Sequence, residues 1–126
     1  MHARVLVFGT FDQLHPGHRF FLESAKSHGS KLIVALARDQ HVQRFKNKLP
    51  KQTQEERMSI VASLPFVDEV MLSDIEPGTF QVIDLVQPDL LILGHDQDAL
   101  HHELTHWLLA HQREIPVIRL RKLSPA

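Results

Sequence analysis

The sequence predicts an α/β fold built around a single doubly wound parallel sheet. Two observations carry this prediction: short apolar runs alternate with segments of helical periodicity, and most of those runs are nearly continuous in apolar residues. Continuous apolar runs are typical of strands covered by helices on both faces. A strand, a helix and a further strand in succession join parallel strands by a right-handed crossover. We therefore expect one domain over residues 1–126, long enough for a core of its own.

Five apolar runs supply the predicted strands. The first is followed at once by Gly9, and the fourth is likewise followed by Gly94. The predicted strands span residues 4–8, 32–37, 69–72, 90–93 and 117–120.

Helical patterns separate these strands. The first pattern stops near Gly29, and the second stops before Pro65, which cannot continue a helix. Thr53 and Glu56 predict a capping box, in which the threonine oxygen accepts from a first-turn N–H and the glutamate reaches back to the cap. The basic segment at residues 44–51 is predicted to be a loop after the second strand. The predicted helices span residues 17–27, 54–63, 79–86 and 99–111.

The predicted strand order is 3-2-1-4-5, the order of Rossmann-like folds. In that order the first and fourth strands are neighbours, and ligands bind in the crevice at their carboxyl ends. Loops that begin with Gly9 and Gly94 leave these two strands. The topology thus predicts a ligand site between the two glycine loops.

The loop after the first strand has the features of a phosphate site. Gly9 allows a tight turn and a close approach of the backbone to a ligand. Pro16 suits the first position of a helix, whose free N–H groups and dipole favour an anion. His15 and His18 are three residues apart across that helix start, so we expect both rings on the same side, above the anion. Two imidazoles that face one anion indicate charge stabilisation.

The run Gly9-Thr10-Phe11-Asp12 followed by His15-x-Gly17-His18, in register with a strand and a helix, resembles the signature of a nucleotidyltransferase superfamily. That superfamily includes glycerol-phosphate cytidylyltransferases, pantetheine-phosphate adenylyltransferases and single-domain FAD synthases. The resemblance extends over about residues 5–97 through three further segments, at residues 37–39, 67–70 and 87–89. It implies a cytidylyltransferase-like domain that transfers a nucleoside monophosphate from CTP or ATP to a small phosphorylated acceptor and releases pyrophosphate.

The resemblance also implies roles for individual residues. His15 and His18 meet the phosphates. Lys46 and Arg57 match a lysine and an arginine that neutralise phosphate charge, and Lys48 is an alternative to Lys46. Mg²⁺ is expected to be bound to the substrate phosphates, so the protein needs no metal cage of its own. The residues assigned to nucleotide binding are Gly9, Thr10, Phe11, Gly17, Gly94, Asp96, Arg119 and Ser124. The residues assigned to the acceptor are Asp12, Asp39 and Gln97.

Two alternatives stay open. The families that the sequence resembles carry a serine- and threonine-rich box after the fifth strand, whereas residues 119–124 here are Arg-Leu-Arg-Lys-Leu-Ser. This departure leaves open a nucleotide-binding or regulatory module that has lost turnover. The segment His102-Glu103-Leu104-Thr105-His106 fits the pattern of a zinc hydrolase, with two histidines on one helix face. No third ligand falls at the expected spacing, so a solvated helix face is the competing interpretation.

Composition excludes several classes of protein. The 14 basic and 15 acidic residues give a formal net charge of -1, so we expect neither a nucleic-acid nor a membrane partner. Cysteine is absent, which excludes disulfides and thiolate metal sites. The chain has no leader pattern and no apolar segment of membrane-spanning length, so a cytoplasmic location is expected. The family resemblance also allows a homodimer.

Overall fold

Five parallel strands form one sheet in the computed structural model, which describes residues 3–121. They are β1 Arg4–Gly9, β2 Lys31–Leu36, β3 Glu69–Leu72, β4 Leu90–Leu93 and β5 Val117–Arg119. The helices of the described residues are α1 Pro16–Lys26, α2 Asp39–Lys46, α3 Gln54–Ala62, α4 Gln81–Val86 and α5 Asp98–Ala110. None of these helices has the length and hydropathy to cross a membrane. The strand order is β3-β2-β1-β4-β5, so the predicted order is confirmed.

The helices cover both faces of the sheet. Alternate residues of β1 point to opposite faces, so that Leu6 and Phe8 pack with residues of α4 and α5, whereas Val5 and Val7 pack with residues of α1 and α3. All four side chains are buried. Burial on both faces explains why the strand is an unbroken apolar run in the sequence. The predicted doubly wound α/β fold is therefore confirmed.

The predicted elements end within two residues of the observed ones, but the sequence pattern does not predict α2. The prediction of a loop at residues 44–51 is wrong for residues 44–46, which form the last turn of α2. This helix has 8 residues and is mostly polar, with Val42 buried, so it lacks the apolar repeat that marks a helix. Asn47 ends it in the left-handed region, with a φ of 57°.

The start of α4 is set by a side chain from the preceding segment. The carboxylate of Asp74 accepts hydrogen bonds from the N–H groups of Gln81 and Val82 and from the hydroxyl of Thr79. Phe80 has a left-handed φ of 47°, which interrupts the helix on its amino-terminal side. The helix therefore begins two residues later than the sequence pattern predicts.

The carboxyl ends of β1 and β4 lie side by side, because these two strands pair directly. A Cβ on Gly9 would lie 2.5 Å from the ring of Phe11, so any larger residue at the end of β1 would force that ring to move. The side chain of Gln97 links the two strand ends: its Oε1 accepts from the N–H of Gly94 at 2.8 Å, and its Nε2 donates to the carbonyl of Phe8 at 2.9 Å. Both glycine loops thus start from a fixed common edge.

Candidate active site

A cavity of about 1000 Å³ opens at the carboxyl edge of the sheet, between the loops that follow β1 and β4. Gly9 and Gly94 both line it, so the two glycine loops face one crevice. This volume is at the upper end of the range for small-molecule sites. The residues assigned from the sequence that line the cavity are Gly9, Thr10, Phe11, Asp12, His15, Gly17, His18, Lys46, Gly94, Asp96 and Gln97.

His15 and His18 stack on each other at the start of α1, with ring centroids 3.6 Å apart and an interplanar angle of 20°. The Nδ1 atom of His15 accepts from the N–H groups of Gly17 at 3.1 Å and His18 at 3.4 Å. The Nδ1 atom of His18 accepts from the N–H of His15 at 3.3 Å. A neutral imidazole carries one ring proton, so both rings carry it on Nε2. The stack therefore offers two Nε2–H donors.

Burial is the largest cause that lowers the pKa of His18, and the neighbouring His15 and Lys46 add to it, so that the pKa falls from 6.5 to about 4. Asp96 and Asp12 act in the opposite direction without cancelling the effect. At neutral pH the ring of His18 is therefore uncharged and keeps the tautomer that its backbone contact requires.

The free N–H groups that the sequence predicts at the start of α1 are already in use. Those of Gly17 and His18 donate to His15, and a Cβ on Gly17 would lie 2.9 Å from Cε1 of that ring. The positive end of the helix dipole thus acts on the cavity through the imidazole. Donation to Nδ1 polarises the ring and strengthens its Nε2–H as a donor.

The loop at residues 10–13 has a constrained backbone. Phe11 and Gln13 both have a left-handed φ of 52°, a conformation that costs a non-glycine residue roughly 1–2 kcal/mol. The buried ring of Phe11 packs edge-on against His18, with centroids 5.4 Å apart, and stacks on Phe21 at 6.3 Å. The loop conformation is therefore coupled to the orientation of the histidine pair.

Asp12 lines the cavity, but its carboxylate is bound by the protein. Its two oxygens accept from the N–H groups of Lys51 at 2.9 Å and Gln52 at 3.0 Å. Burial favours the neutral acid, but these hydrogen bonds and the charges of Arg57 and Lys51 outweigh it, so the pKa of Asp12 lies below its usual value. Asp12 thus joins the first glycine loop to the loop before α3.

Arg57 and Asp39 lie behind the first glycine loop, and neither lines the cavity. The side chain of Arg57 is 0% exposed. Its guanidinium donates to the carbonyl of Thr10 at 2.8 Å, to the carbonyl of Gln52 at 3.2 Å and to Asp39 at 2.6 Å. Their contact with a substrate stays a prediction.

Lys46 lies at the carboxyl end of α2 and lines the cavity, whereas Lys48 does not. Both side chains belong to exposed residues. The left-handed turn at Asn47 separates the two lysines, so that they leave the backbone in different surroundings. The placement favours Lys46 as the lysine of the phosphate site.

Arg119 lies behind the second glycine loop. Its guanidinium donates to the carbonyls of Gly94 at 2.9 Å and His95 at 2.8 Å, and to the carboxylate of Asp98 at 2.8 Å. Arg119 does not line the cavity, whereas Arg121 does. Ser124, which was assigned to nucleotide binding, lies outside the described residues.

The cavity also has walls that were not assigned from the sequence. The segment after β3 reaches it because the carboxyl ends of all the parallel strands share one edge of the sheet. The end of β3 was the signal in the sequence from which this wall could have been predicted. The residues that follow it form no recognisable motif. Among the unassigned residues that line the cavity are His41, Ser73, Asp74, Pro77, Gly78, Phe80, His95, Leu100, Glu103 and Arg121.

The two histidines of the zinc pattern lie on the exposed face of α5. The ring centroids of His102 and His106 are 4.6 Å apart, while Glu103 lines the cavity. Within residues 3–121, no group of three or more histidine, aspartate or glutamate side chains is arranged to hold a metal ion. The described residues therefore have the sequence spacing of a zinc site but no third ligand for a zinc ion.

Comparisons with known proteins agree with this geometry. The model of the family described as cytidylyltransferase-like matches residues 6–122. The FAD synthase of Methanohalophilus mahii is 40% identical over 120 residues, which cover 95% of this chain and 82% of that protein. The crystal structure of a lipopolysaccharide core biosynthesis protein from Thermoplasma volcanium superposes with a TM-score of 0.89, at 29% identity, over 98% of this chain and 100% of that one.

A more distant structure has the same fold. The pantoate-beta-alanine ligase of Francisella tularensis matches with a TM-score of 0.69 at 17% identity, over 98% of this chain and 60% of that one. The family match spans nearly the whole chain and includes both glycine loops and the histidine pair. The chain therefore belongs to the cytidylyltransferase-like family and is a nucleotidyltransferase.

Proposed function

We propose that the protein transfers AMP from ATP to FMN and releases pyrophosphate, the reaction of an FAD synthase. The observation that carries this proposal is the pair of Nε2–H donors that lines, together with Lys46, a cavity of about 1000 Å³. The similarity to FAD synthases over most of their length favours ATP over CTP and FMN over other phosphorylated acceptors.

In this reaction a phosphate oxygen of FMN attacks the α-phosphorus of ATP. The new P–O bond forms as the bond to the bridging oxygen of pyrophosphate breaks, and negative charge builds on the α-phosphoryl oxygens and the leaving group. The FMN phosphate is already an anionic nucleophile, so no side chain needs to remove a proton from it. The protein contributes orientation and charge stabilisation, which we assign to His15, His18 and Lys46.

Mg²⁺ fits this site as an ion carried by the substrate. Both oxygens of Asp12 are engaged by backbone N–H groups, while Asp96 is an exposed carboxylate on the cavity wall. A single carboxylate with several phosphate oxygens is a usual environment for Mg²⁺. We therefore assign Asp96 as the protein ligand, and the bound ion would neutralise charge on the phosphates.

The cavity wall formed by the end of β2 and the start of α4 suits the ring system of FMN. Ala35 and Ala37 are small, and Phe80 and Val82 are apolar and buried. Burial of a flat aromatic ring against such a wall is favourable in proportion to the apolar area that leaves water. The phosphate of FMN would then point toward the histidine pair.

The test is formation of FAD from ATP and FMN with Mg²⁺, measured by chromatography together with release of pyrophosphate. The control pair is CTP with glycerol phosphate. FAD formation supports the proposal, and turnover of the control pair alone would replace it with a cytidylyltransferase. Binding of a nucleotide without pyrophosphate release from any pair would contradict it in favour of a binding module.

A further inference from the structure

The loop before the histidine pair and the loop after Lys46 are joined by a network of four residues, Asp12, Asp39, Gln52 and Arg57, which we call the clasp. One loop, residues 10–13, precedes the histidine pair, and the other, residues 47–53, follows Lys46. Asp39, Gln52 and Arg57 do not line the cavity, and they reach its lining through Asp12 and through the carbonyl of Thr10. Its members therefore act on the site from behind.

Arg57 is the centre of the clasp. Its three hydrogen bonds reach one carbonyl from each loop, those of Thr10 and Gln52, and the carboxylate of Asp39 at the start of α2. The planar guanidinium fork fixes the directions of these acceptors relative to one another, which a lysine ammonium cannot do. A fully buried guanidinium that is paired with a carboxylate has no surface left for a phosphate.

Gln52 provides the second connection. Its Oε1 accepts from the N–H of Gln13 at 2.9 Å, and its own N–H donates to Asp12 at 3.0 Å. Gln13 and Phe11 both have left-handed backbones, so the loop needs such external bonds to keep its conformation. Asp39 also accepts from the N–H of Gln54 at 3.1 Å, which ties the start of α2 to the start of α3.

We infer that the clasp is a positioning device that fixes the first glycine loop, and with it the histidine pair, relative to Lys46. Arg57, Asp39 and Gln52 are then positioning residues rather than residues that contact the phosphates. This inference rests on the proposed function, because it assumes that His15, His18 and Lys46 act on the same phosphates. A displacement of about 1 Å between such groups lowers a reaction rate by about 10²-fold.

The primary test is Gln52→Ala, which removes only the side-chain bond to Gln13. We expect kcat for FAD formation to fall by between about 10-fold and 10²-fold, with the Kd for ATP changed less than about 3-fold. The matched control is Gln43→Ala, an exposed glutamine on α2, which should keep the activity of the wild type. A kcat of Gln52→Ala within about 2-fold of the wild type would overturn the inference.

Asp39→Asn and Arg57→Lys distinguish positioning from direct contact with the phosphates. If Arg57 contacted substrate, loss of its carboxylate partner would preserve or raise activity, and the Arg57→Lys variant would retain part of it. The clasp predicts a fall of at least about 10-fold in kcat for both variants, with non-additive effects in combination with Gln52→Ala. The control is Asp84→Asn, which breaks an exposed ion pair with Arg113. Retained activity in Asp39→Asn would contradict the clasp.

Hydrogen exchange separates a failure of the clasp from a failure of the proposed function. Absence of FAD formation by the wild type would contradict the function alone. The clasp predicts that the amides of residues 10–13 exchange about 10-fold faster in Gln52→Ala than in the wild type, whatever the reaction. Unchanged exchange in these residues would overturn the clasp even in an active enzyme.

Discussion

At the scale of single residues, the distinctive feature is a histidine that caps a helix. His15 occupies the N-cap position of α1, where serine, threonine, aspartate or asparagine is usual, and accepts from two backbone N–H groups. His18 completes a reciprocal capping box by accepting from the N–H of His15. The capping bonds thus decide which nitrogen of each ring carries the proton.

The first residue-scale prediction is that His18→Ala lowers kcat for FAD formation by about 10²- to 10³-fold, because it removes one preorganised donor. The measurement is steady-state kinetics, combined with circular dichroism to show that the fold is retained. His28→Ala is the matched control, because His28 is exposed near the end of α1 and does not line the cavity. Full activity in His18→Ala would remove the histidine pair from the mechanism.

The second residue-scale prediction concerns pH. The folded protein holds the pKa of His18 at about 4, compared with 6.5 for an unperturbed histidine, so the unfolded chain binds this proton more tightly. His18 therefore does not reduce the free energy of unfolding above about pH 6.5. As the pH falls from about 6.5 toward about 4, the unfolded chain takes up this proton first, and the free energy of unfolding decreases.

Urea denaturation at several pH values measures this effect. The difference between the free energies of unfolding of the wild type and His18→Ala should decrease as the pH falls through that window. Subtraction is required because the pKa values of Asp12 and Asp68 are lowered by folding, so their contributions are lost at more acidic pH. A difference that is independent of pH would show that His18 titrates normally in the folded state.

At the scale of elements, each glycine loop is supported from behind by an arginine. Arg57 holds the loop after β1 through the carbonyl of Thr10, and Arg119 holds the loop after β4 through the carbonyls of Gly94 and His95. The family resemblance implies that both arginines are near the site. It does not predict that the two guanidinium groups donate to backbone carbonyls, because those bonds depend on loop conformations that tertiary contacts set.

An element-scale prediction is that Gly9→Ala destabilises the protein by about 1–3 kcal/mol and lowers kcat, because the new Cβ forces Phe11 and its loop to move. The free energy of unfolding in urea and the rate of FAD formation measure the two effects. Gly94→Ala is the comparison, since the atom nearest its Cβ would be Asp96 Oδ1 at 3.3 Å, on a flexible side chain. An equal loss of stability in both variants would contradict the steric explanation.

At the scale of the whole molecule, the fold brings residues from several elements to one cavity at the carboxyl edge of the sheet. Because the carboxyl ends of the parallel strands share one edge of the sheet, the histidine pair and the apolar residues by β2 line the same cavity. Simultaneous binding of a nucleotide and an acceptor is therefore an expected property of the fold. It requires no rearrangement of the sheet.

We predict that FMN and a non-hydrolysable ATP analogue stabilise the protein additively. Each ligand at about 100 times its Kd should raise the free energy of unfolding by about 2.7 kcal/mol. Denaturation curves with each ligand and with both measure this. An effect of both ligands that is no larger than that of one would show that they compete for a single site.

The sequence predicts the sheet, its order and the glycine loops well, because these follow from buried apolar runs and from glycine positions that tertiary contacts do not override. The α2 helix is not predictable in the same way, since Val42 is its buried position and no apolar repeat marks its length. For the segment after β3, the sequence likewise predicts only that a strand ends there. Its contribution to the cavity depends on the cap that Asp74 provides for α4.

The capping bonds of His15 and His18 also affect which metal ions the cavity tolerates. A neutral imidazole has one lone pair for coordination, and in both rings this lone pair points to backbone N–H groups. Zn²⁺, Ni²⁺ or Cu²⁺ would have to displace those bonds before binding to either ring, whereas Mg²⁺ prefers oxygen and needs no imidazole. His102 and His106 are exposed on α5, so we expect these transition-metal ions to bind there before they bind to His15 or His18.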